Sequence, residues 1–371
     1  MMSARFLTVV LERAFNMRDG FGREIDYMRI SVIDSCNLNC YYCNPCDNNE
    51  HCHALNILSV KEVLYIVRAA TRLGIKHFRL TGGEPLLHPQ LDEMVLQIKK
   101  IPGVSSVSLT TNAVLLAQHA KWLKEAGIDS INVSLDTIDA SEYERITKKP
   151  LLEEVKHGIN AAIECGIRVK INVVLTPQTD VVALTRYVAK KGTDIRFIEM
   201  MPVGEGHTNG VEPYKKVIGT LSKLYGEPCR INTEKTKEIN SGNDKRKIPD
   251  NGPAEYYIFP ELGIRVGLIQ AIHGKFCDTC NRIRVTADGK LMPCLGSSVT
   301  MDLVPDSWDF ADDVEKDFAI VRALRAAIKA KPRCHNFNDN AVTYTKTTET
   351  KTTEIEAAEV NAARNMSRIG G

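Results

Sequence analysis

An α/β fold organised around a parallel sheet is what this 371-residue sequence predicts, and three observations carry the prediction. Six short β-branched runs follow one another between Tyr27 and about Met200. Amphipathic stretches of helical period separate them. Several of those stretches end on glycine, a common helix terminator. Six β–α units in succession imply parallel strands with helices on the faces of the sheet, as an open sheet or as a barrel. In either form, ligands gather at the carboxyl ends of the strands.

The strands in order are YMRISVI (27–33), KHFRLT (76–81), VSSVSLT (104–110), SINVSLD (130–136), RVKINVVL (168–175) and DIRFIEM (194–200). Helical period marks 59–74, 88–101, 115–127 and 180–192. Past Met200 the alternation breaks up. Strand-like pieces stand at 255–259 and 264–272, a helix is expected at 312–330, and residues 338–356 are Thr/Lys/Glu-rich and nearly free of large apolar side chains, the composition of a flexible tail.

The overall composition, 43% hydrophobic and 25% charged, is that of a soluble globular protein. A net charge of +2 gives no bulk field for nucleic acid, so any anion site must be local. No apolar run approaches the ~20 residues that span a bilayer, so no membrane partner is expected. The opening MMSARFLTVVLERAFNM contains Glu12 and lacks a leader's apolar core with a small-residue cleavage site, so it reads as an N-terminal extension.

Eleven cysteines without a secretory signal argue against a disulfide framework. Five lie between 36 and 52 and three between 277 and 294. Clustering of this kind in a reducing compartment favours metal; Cys165, Cys229 and Cys334 are scattered. In SCNLNCYYCNPC (35–46), Cys36, Cys40 and Cys43 have the spacing C-x3-C-x2-C directly after a strand, where an active site is expected. Three thiolates on a four-iron cluster leave one iron open, as a catalytic zinc keeps a position for substrate. A closed site completed by Cys46, or a redox pair of Cys43 and Cys46, is the alternative reading, and Cys52 is a further candidate ligand.

TGGEP (81–85) closes the second strand. Gly82 and Gly83 allow close backbone approach, and Glu84 offers a carboxylate. Alone, it could equally be an ordinary strand-to-helix turn. Ser134 ends the fourth strand, and Asp136 after it could equally be a site residue or a helix cap, so it is not assigned. Arg29, Arg79, Lys170 and Arg196 each interrupt a strand that otherwise reads as buried. A helix-covered parallel sheet has little room for charge, and an unpaired buried cation costs several kcal/mol. The inexpensive arrangement aims these cations at a common cavity holding an anion; the other is a local carboxylate partner for each, or snorkelling. Arg79 has the parity of Thr81 and Gly83, so it should share their face. FCDTCNRIRVTADGKLMPC (276–294) carries C-x2-C-x13-C, with Arg282 and Arg284 alternating on one face of a strand beside Cys280. Cys334, in KPRCHNF, is the fourth ligand of an alternative zinc ribbon.

The first triplet and its following residues resemble the signature of the radical S-adenosylmethionine (SAM) superfamily. With FGREIDYMRISVIDSCNLNCYYC, FRLTGGEPLL, LTTN, LKEAGIDSINVSLD, VKINVV, RFIEMMPVGE, the second triplet around NRIRVTADGKL and the terminal Gly-Gly, the chain resembles the GTP 3′,8-cyclase family over roughly residues 18–337 and its last residues. The resemblance implies an incomplete (β/α)6 barrel over 18–200, a C-terminal segment over 201–337 closing the open side, and a tail over 338–371. It implies two 4Fe–4S clusters, on Cys36, Cys40 and Cys43 and on Cys277, Cys280 and Cys294, with SAM chelating the open iron of the first. Tyr42, Gly82, Gly83, Glu84, Ser134 and Met201 fall on SAM-contacting positions. Arg29, Arg79, Thr110, Lys170, Arg196, Arg282, Ile283 and Arg284 fall on GTP-contacting positions, and Gly370 and Gly371 on a diglycine that reaches the active site. Catalytic roles are implied for the first triplet, Arg282, Arg284 and that diglycine. In the implied reaction a 5′-deoxyadenosyl radical takes hydrogen from C3′ of GTP and the carbon radical attacks guanine C8, giving 3′,8-cyclo-7,8-dihydro-GTP in the first step of molybdopterin biosynthesis. The implied partners are GTP, a reduced donor such as flavodoxin or ferredoxin, the next enzyme of the pathway and a second copy in a homodimer, all in the cytoplasm. The chain departs from the family pattern at Asn44, where a methionine is common, and at Ala113, where glycine is usual. Cys46, Cys52, Cys334 and the long polar tail are additions.

Overall fold

The computed structural model describes residues 17–43, 56–203, 210–231, 252–297, 299–303, 312–335 and 337. The expectations for the N-terminal extension, Asn44, Cys46, Cys52, the tail and the Gly370–Gly371 terminus lie outside them.

The six expected strands form: β1 (Tyr27–Ser31), β2 (His77–Thr81), β3 (Ser106–Thr111), β4 (Ser130–Ser134), β5 (Arg168–Leu175) and β6 (Asp194–Glu199). They pair in sequence order, all parallel. The C-terminal segment adds strands at both ends. β9 (Arg265–Ile269) lies parallel to β6, and β10 (Arg282–Val285) lies parallel to β1. Antiparallel strands extend each side: β8 (Glu255–Ile258) and β7 (Cys229–Ile231) beyond β9, and β11 (Lys290–Met292) and β12 (Met301–Asp302) beyond β10. The sheet does not close among the described residues, since β9 and β10 do not pair. The barrel is therefore incomplete, as expected, and the C-terminal segment flanks both edges of its opening.

Helices begin where local chemistry favours them. Ser59 and Glu62 form a reciprocal capping box at the start of α1 (Val60–Arg72). Asp139, Asp180 and Asp312 cap the helices Ala140–Thr147, Val181–Lys190 and Asp313–Lys329. Two helices, Ala140–Thr147 and Leu152–Glu164, occupy the β4–β5 crossover.

Residue parity decides what each strand buries. Met28 and Ile30, Phe78 and Leu80, Val107 and Leu109, Ile131 and Val133, and Ile195 and Phe197 are buried in one hydrophobic core. The alternate positions carry Tyr27 and Arg29, Arg79 and Thr81, Asn132 and Ser134, and Arg196, and these line a cavity. Side chains alternate faces along a strand, so one face of the sheet is core and the other is polar.

Candidate active site

One cavity on the polar face is lined by all six of Cys36, Cys40, Cys43, Cys277, Cys280 and Cys294. The first triplet occupies the loop after β1. The second is split: Cys277 and Cys280 flank a 3-10 turn between β9 and β10, and Cys294 follows β11. Because β10 pairs with β1, the two loops reach the same chamber.

The first loop is held from two sides. The Asn39 and Tyr41 backbone N–H groups donate to the carbonyls of Thr147 and Ile146, at 3.0 and 3.1 Å. On the other side the Gly83 and Glu84 N–H groups donate to the carbonyls of Ile33 and Ser35, each at 2.7 Å. A Cβ on Gly82 would stand 2.4 Å from the Ile33 carbonyl oxygen, and one on Gly83 would stand 2.1 Å from that of Ser35. The two glycines thus admit the backbone of the cysteine loop, and both also line the cavity.

Glu84 is buried beneath this junction, accepting from the Leu86 N–H (3.0 Å), the Thr111 hydroxyl (2.7 Å) and the Asn112 N–H (2.7 Å). Burial nevertheless raises its carboxyl to about 7. Asp136 is half-buried, and desolvation raises its carboxyl to about 6. It is not a helix cap, because Asp139 caps the following helix. Asp136 accepts instead from the Tyr42 hydroxyl (2.5 Å) and the Val174 N–H (2.7 Å), and both Tyr42 and Asp136 line the cavity.

The cations converge as parity requires. Arg284, Arg29 and Arg79 form one lateral row, with Arg29 in register with Arg284 on one side and Arg79 on the other. All three line the cavity with Arg282 and Arg196. Burial, and then the Arg284 charge, hold the Arg29 guanidinium well below its ordinary range, and its Nε has no hydrogen-bond partner. Burial brings Arg284 down to about 10, with Arg282 adding to the effect. Arg79 donates to the Tyr27 hydroxyl, the Leu109 carbonyl and the Thr110 hydroxyl, all neutral groups. Arg196 donates to Asn172 at 2.9 Å.

Other positions sort as follows. Thr110, Ser134 and Met201 line the cavity. Lys170 has the right parity but lies toward the amino end of β5, below the cavity, with its ammonium 5.8 Å from the centre of the Tyr256 ring. The Ile283 side chain is in the hydrophobic core, so only its backbone is available to a ligand. Cys334 is exposed and does not line the cavity. No three His, Cys, Asp or Glu side chains among the described residues converge on a single metal ion. Lys331, Asn112 and Asp136 line the cavity without having been singled out for it; Asn112, in LTTN, was the one with a local signal.

The thiols fit iron–sulfur clusters. Burial pushes Cys36 up to about 11 and raises Cys40 further, so thiolates at these depths need a cationic occupant. N–H groups of Leu38 and Asn112 approach the Cys36 sulfur at 3.5 and 3.8 Å. In the second triplet, Arg282 donates to Cys280 at 3.7 Å. Burial raises the Cys280 thiol, but Arg282 and Lys331 outweigh it and bring the group down to about 6. Both triplets therefore present sulfur donors suited to ligation.

Comparison with known proteins agrees with this architecture. Residues 30–183 match the Radical SAM superfamily and residues 193–337 match Molybdenum Cofactor Synthesis C. A GTP 3′,8-cyclase of Clostridium perfringens (strain SM101 / Type A) is 35% identical over 324 residues, 86% of this chain and 95% of the relative. That of Peptoclostridium acidaminophilum is 37% identical over 328 residues, 86% of this chain and 94% of the relative. Streptococcus suis SuiB bound to S-adenosylmethionine has the same fold, with a TM-score of 0.55 at 15% identity, covering 81% of this chain and 68% of that one. Fold and site together define a radical SAM protein. Within that superfamily, the chain belongs to the GTP 3′,8-cyclase family.

Proposed function

We infer that this protein is a GTP 3′,8-cyclase of molybdenum-cofactor biosynthesis, using SAM and two 4Fe–4S clusters. The observation that supports it best is the shared chamber: both cysteine triplets and the Arg284–Arg29–Arg79 row line one cavity. When bound, the clusters and SAM supply the electron and the 5′-deoxyadenosyl radical that takes the C3′ hydrogen of GTP, after which the C3′ radical adds to guanine C8.

The remaining tasks belong to the chain. Cys36, Cys40 and Cys43 hold the SAM-cleaving cluster, and Cys277, Cys280 and Cys294 hold the second. Glu84, its carboxylate oriented by three donors, would receive the SAM ammonium. Tyr42, held by Asp136, would pack at the adenine, and Gly82, Gly83, Ser134 and Met201 would complete that half. Arg29, Arg79, Arg282 and Arg284 neutralise the triphosphate, which suits the planar guanidinium fork. Thr110 and Arg196 border the same space. Gly370 and Gly371 belong to the catalytic apparatus by family resemblance. The partial barrel over 18–200 supplies the radical half of the chamber and 201–337 the nucleotide half. The reading extends to a reduced flavodoxin- or ferredoxin-type donor, the next pathway enzyme, a homodimer and a cytoplasmic setting; among the described residues no helix is long and apolar enough to cross a membrane.

The test is anaerobic reconstitution followed by incubation with dithionite, SAM and GTP. The expected result is about eight irons per chain, as two four-iron clusters, with 5′-deoxyadenosine and cyclised GTP formed together. SAM cleavage indifferent to GTP would instead indicate a radical enzyme with another substrate.

A further inference from the structure

Lys331 opens KPRCHNF, quoted above only for Cys334, and no role was read for it, yet it is a charged residue at the wall of the chamber. Its side chain is buried, at 3% exposure, and it lines the cavity. The ammonium donates to the Arg282 carbonyl at 2.8 Å and to the Pro293 carbonyl at 2.9 Å. Arg282 stands two residues beyond Cys280, and Pro293 immediately precedes Cys294. One ammonium thus ties together the two halves of a triplet that the sequence separates by a strand pair.

The segment carrying Lys331 is clamped from the far side. Arg23 donates to the carbonyls of Pro332 (2.6 Å), Arg333 (2.9 Å) and Cys277 (2.7 Å), and Asp19 holds Arg23 in place at 2.5 Å. The backbone that carries Lys331 is thereby fixed.

The electrostatics call for an anion. Among the described residues no carboxylate forms a salt bridge with Lys331, and two neutral carbonyls accept two of its three N–H donors. A buried ammonium without a counter-charge is costly to desolvate. A four-iron cluster on three thiolates is a net anion, more so when reduced. It would complete the site.

Resting on the two-cluster reading above, we propose that Lys331 is the charge-setting and positioning residue of the second cluster: it spans the Cys280 and Cys294 loops and raises that cluster's reduction potential. The mechanism is direct, since a fixed positive charge in a low-dielectric site favours the state carrying one more electron.

The test uses the full chain with Cys36→Ala, Cys40→Ala and Cys43→Ala together, so that only the second cluster contributes to a redox titration followed by EPR without GTP. Lys331→Gln keeps hydrogen-bond donors but loses the charge, Lys331→Met loses both, and Lys331→Arg keeps both. At a fixed poise, Lys331→Gln and Lys331→Met are expected to lower the reduced-to-oxidised ratio about tenfold, equal to about 59 mV for one electron, while Lys331→Arg stays near wild type. If Lys331→Met fails to fold, the Gln-to-Arg comparison alone decides. A potential unchanged in Lys331→Gln, with or without weaker GTP binding, would overturn the proposal and leave Lys331 a hydrogen-bonded tie or a substrate contact. Absence of any cluster in this background would overturn the two-cluster reading itself, and the proposal with it.

Discussion

Arg29 and Arg284 stand in register on adjacent parallel strands, Arg284 buried and Arg29 half-buried, although 255 positions separate them in the chain. Arg79 flanks Arg29 on its other side. Like charges directly opposite one another destabilise a sheet, so this row is a place where the protein gives up stability to keep cations at the chamber wall. An anion bound there recovers the difference.

Arg29→Met should therefore act in opposite directions on the two states. The protein without nucleotide should gain about 2 °C in Tm, from relief of repulsion and desolvation. GTP affinity should fall tenfold or more, the worth of a charge-assisted contact of about 1.5–3 kcal/mol, with SAM affinity unchanged. Thermal unfolding and calorimetric titration check both; a lower Tm with unaltered GTP binding would contradict the placement.

Gly83→Ala places a methyl group 2.1 Å from the Ser35 carbonyl oxygen, and backbone cannot step aside as a side chain can. The junction of the Gly82–Glu84 turn with the cysteine loop should open, at a cost of about 1–3 kcal/mol. Iron retained by the first triplet should drop while the second keeps its own. Iron content and Mössbauer spectra measure this, and full occupancy of both clusters would count against the junction's role.

Glu84 supplies a pH dependence with a definite sign. Its folded value, about 7, lies above the ordinary carboxylate value of 4.5. Between those limits the folded state holds a proton that the unfolded state releases, so this group's contribution makes the cofactor-free protein less stable as pH rises through that window. Glu84→Gln removes the effect, and its Tm advantage over wild type should grow from pH 5 to pH 8. In the wild type, SAM should bind more tightly across the same interval, because its ammonium favours the ionised carboxylate. A Tm difference independent of pH would show that Glu84 is charged throughout.

Asp136→Ala leaves the Tyr42 hydroxyl and the Val174 N–H without their partner in a half-buried setting. The expected loss is about 1–3 kcal/mol of stability, with weaker SAM binding as Tyr42 loosens. Asp136→Asn, which keeps an acceptor oxygen, should recover most of both. Equal damage from the two substitutions would mean that the charge, and not the hydrogen bond, matters.

Ala113 shows where the local pattern carried structural information. The resemblance implies glycine there, and the residue sits at φ 66°, a conformation that glycine reaches without strain. The cost of alanine is modest, so a departure legible in the sequence is tolerated in the fold. Asp136 shows the opposite. Two aspartates, Asp136 and Asp139, precede one helix and either could cap it; Asp139 does, and Asp136 turns to Tyr42. Nothing within a few residues distinguishes them.

Alternation along the chain was enough to read the six parallel strands, the polar face they share and the two cysteine groups, because side-chain direction in a strand depends only on neighbouring backbone. Depth and pairing were beyond that reach. Lys170 and Asn172 have the same parity, yet only Asn172 meets the chamber. Arg23 finds Cys277 across 254 positions and Lys331 finds Arg282 across 49, contacts that exist because the C-terminal strands add to both edges of the barrel. Periodicity is a local property of the backbone, whereas the company a buried charge keeps depends on how distant segments pack together.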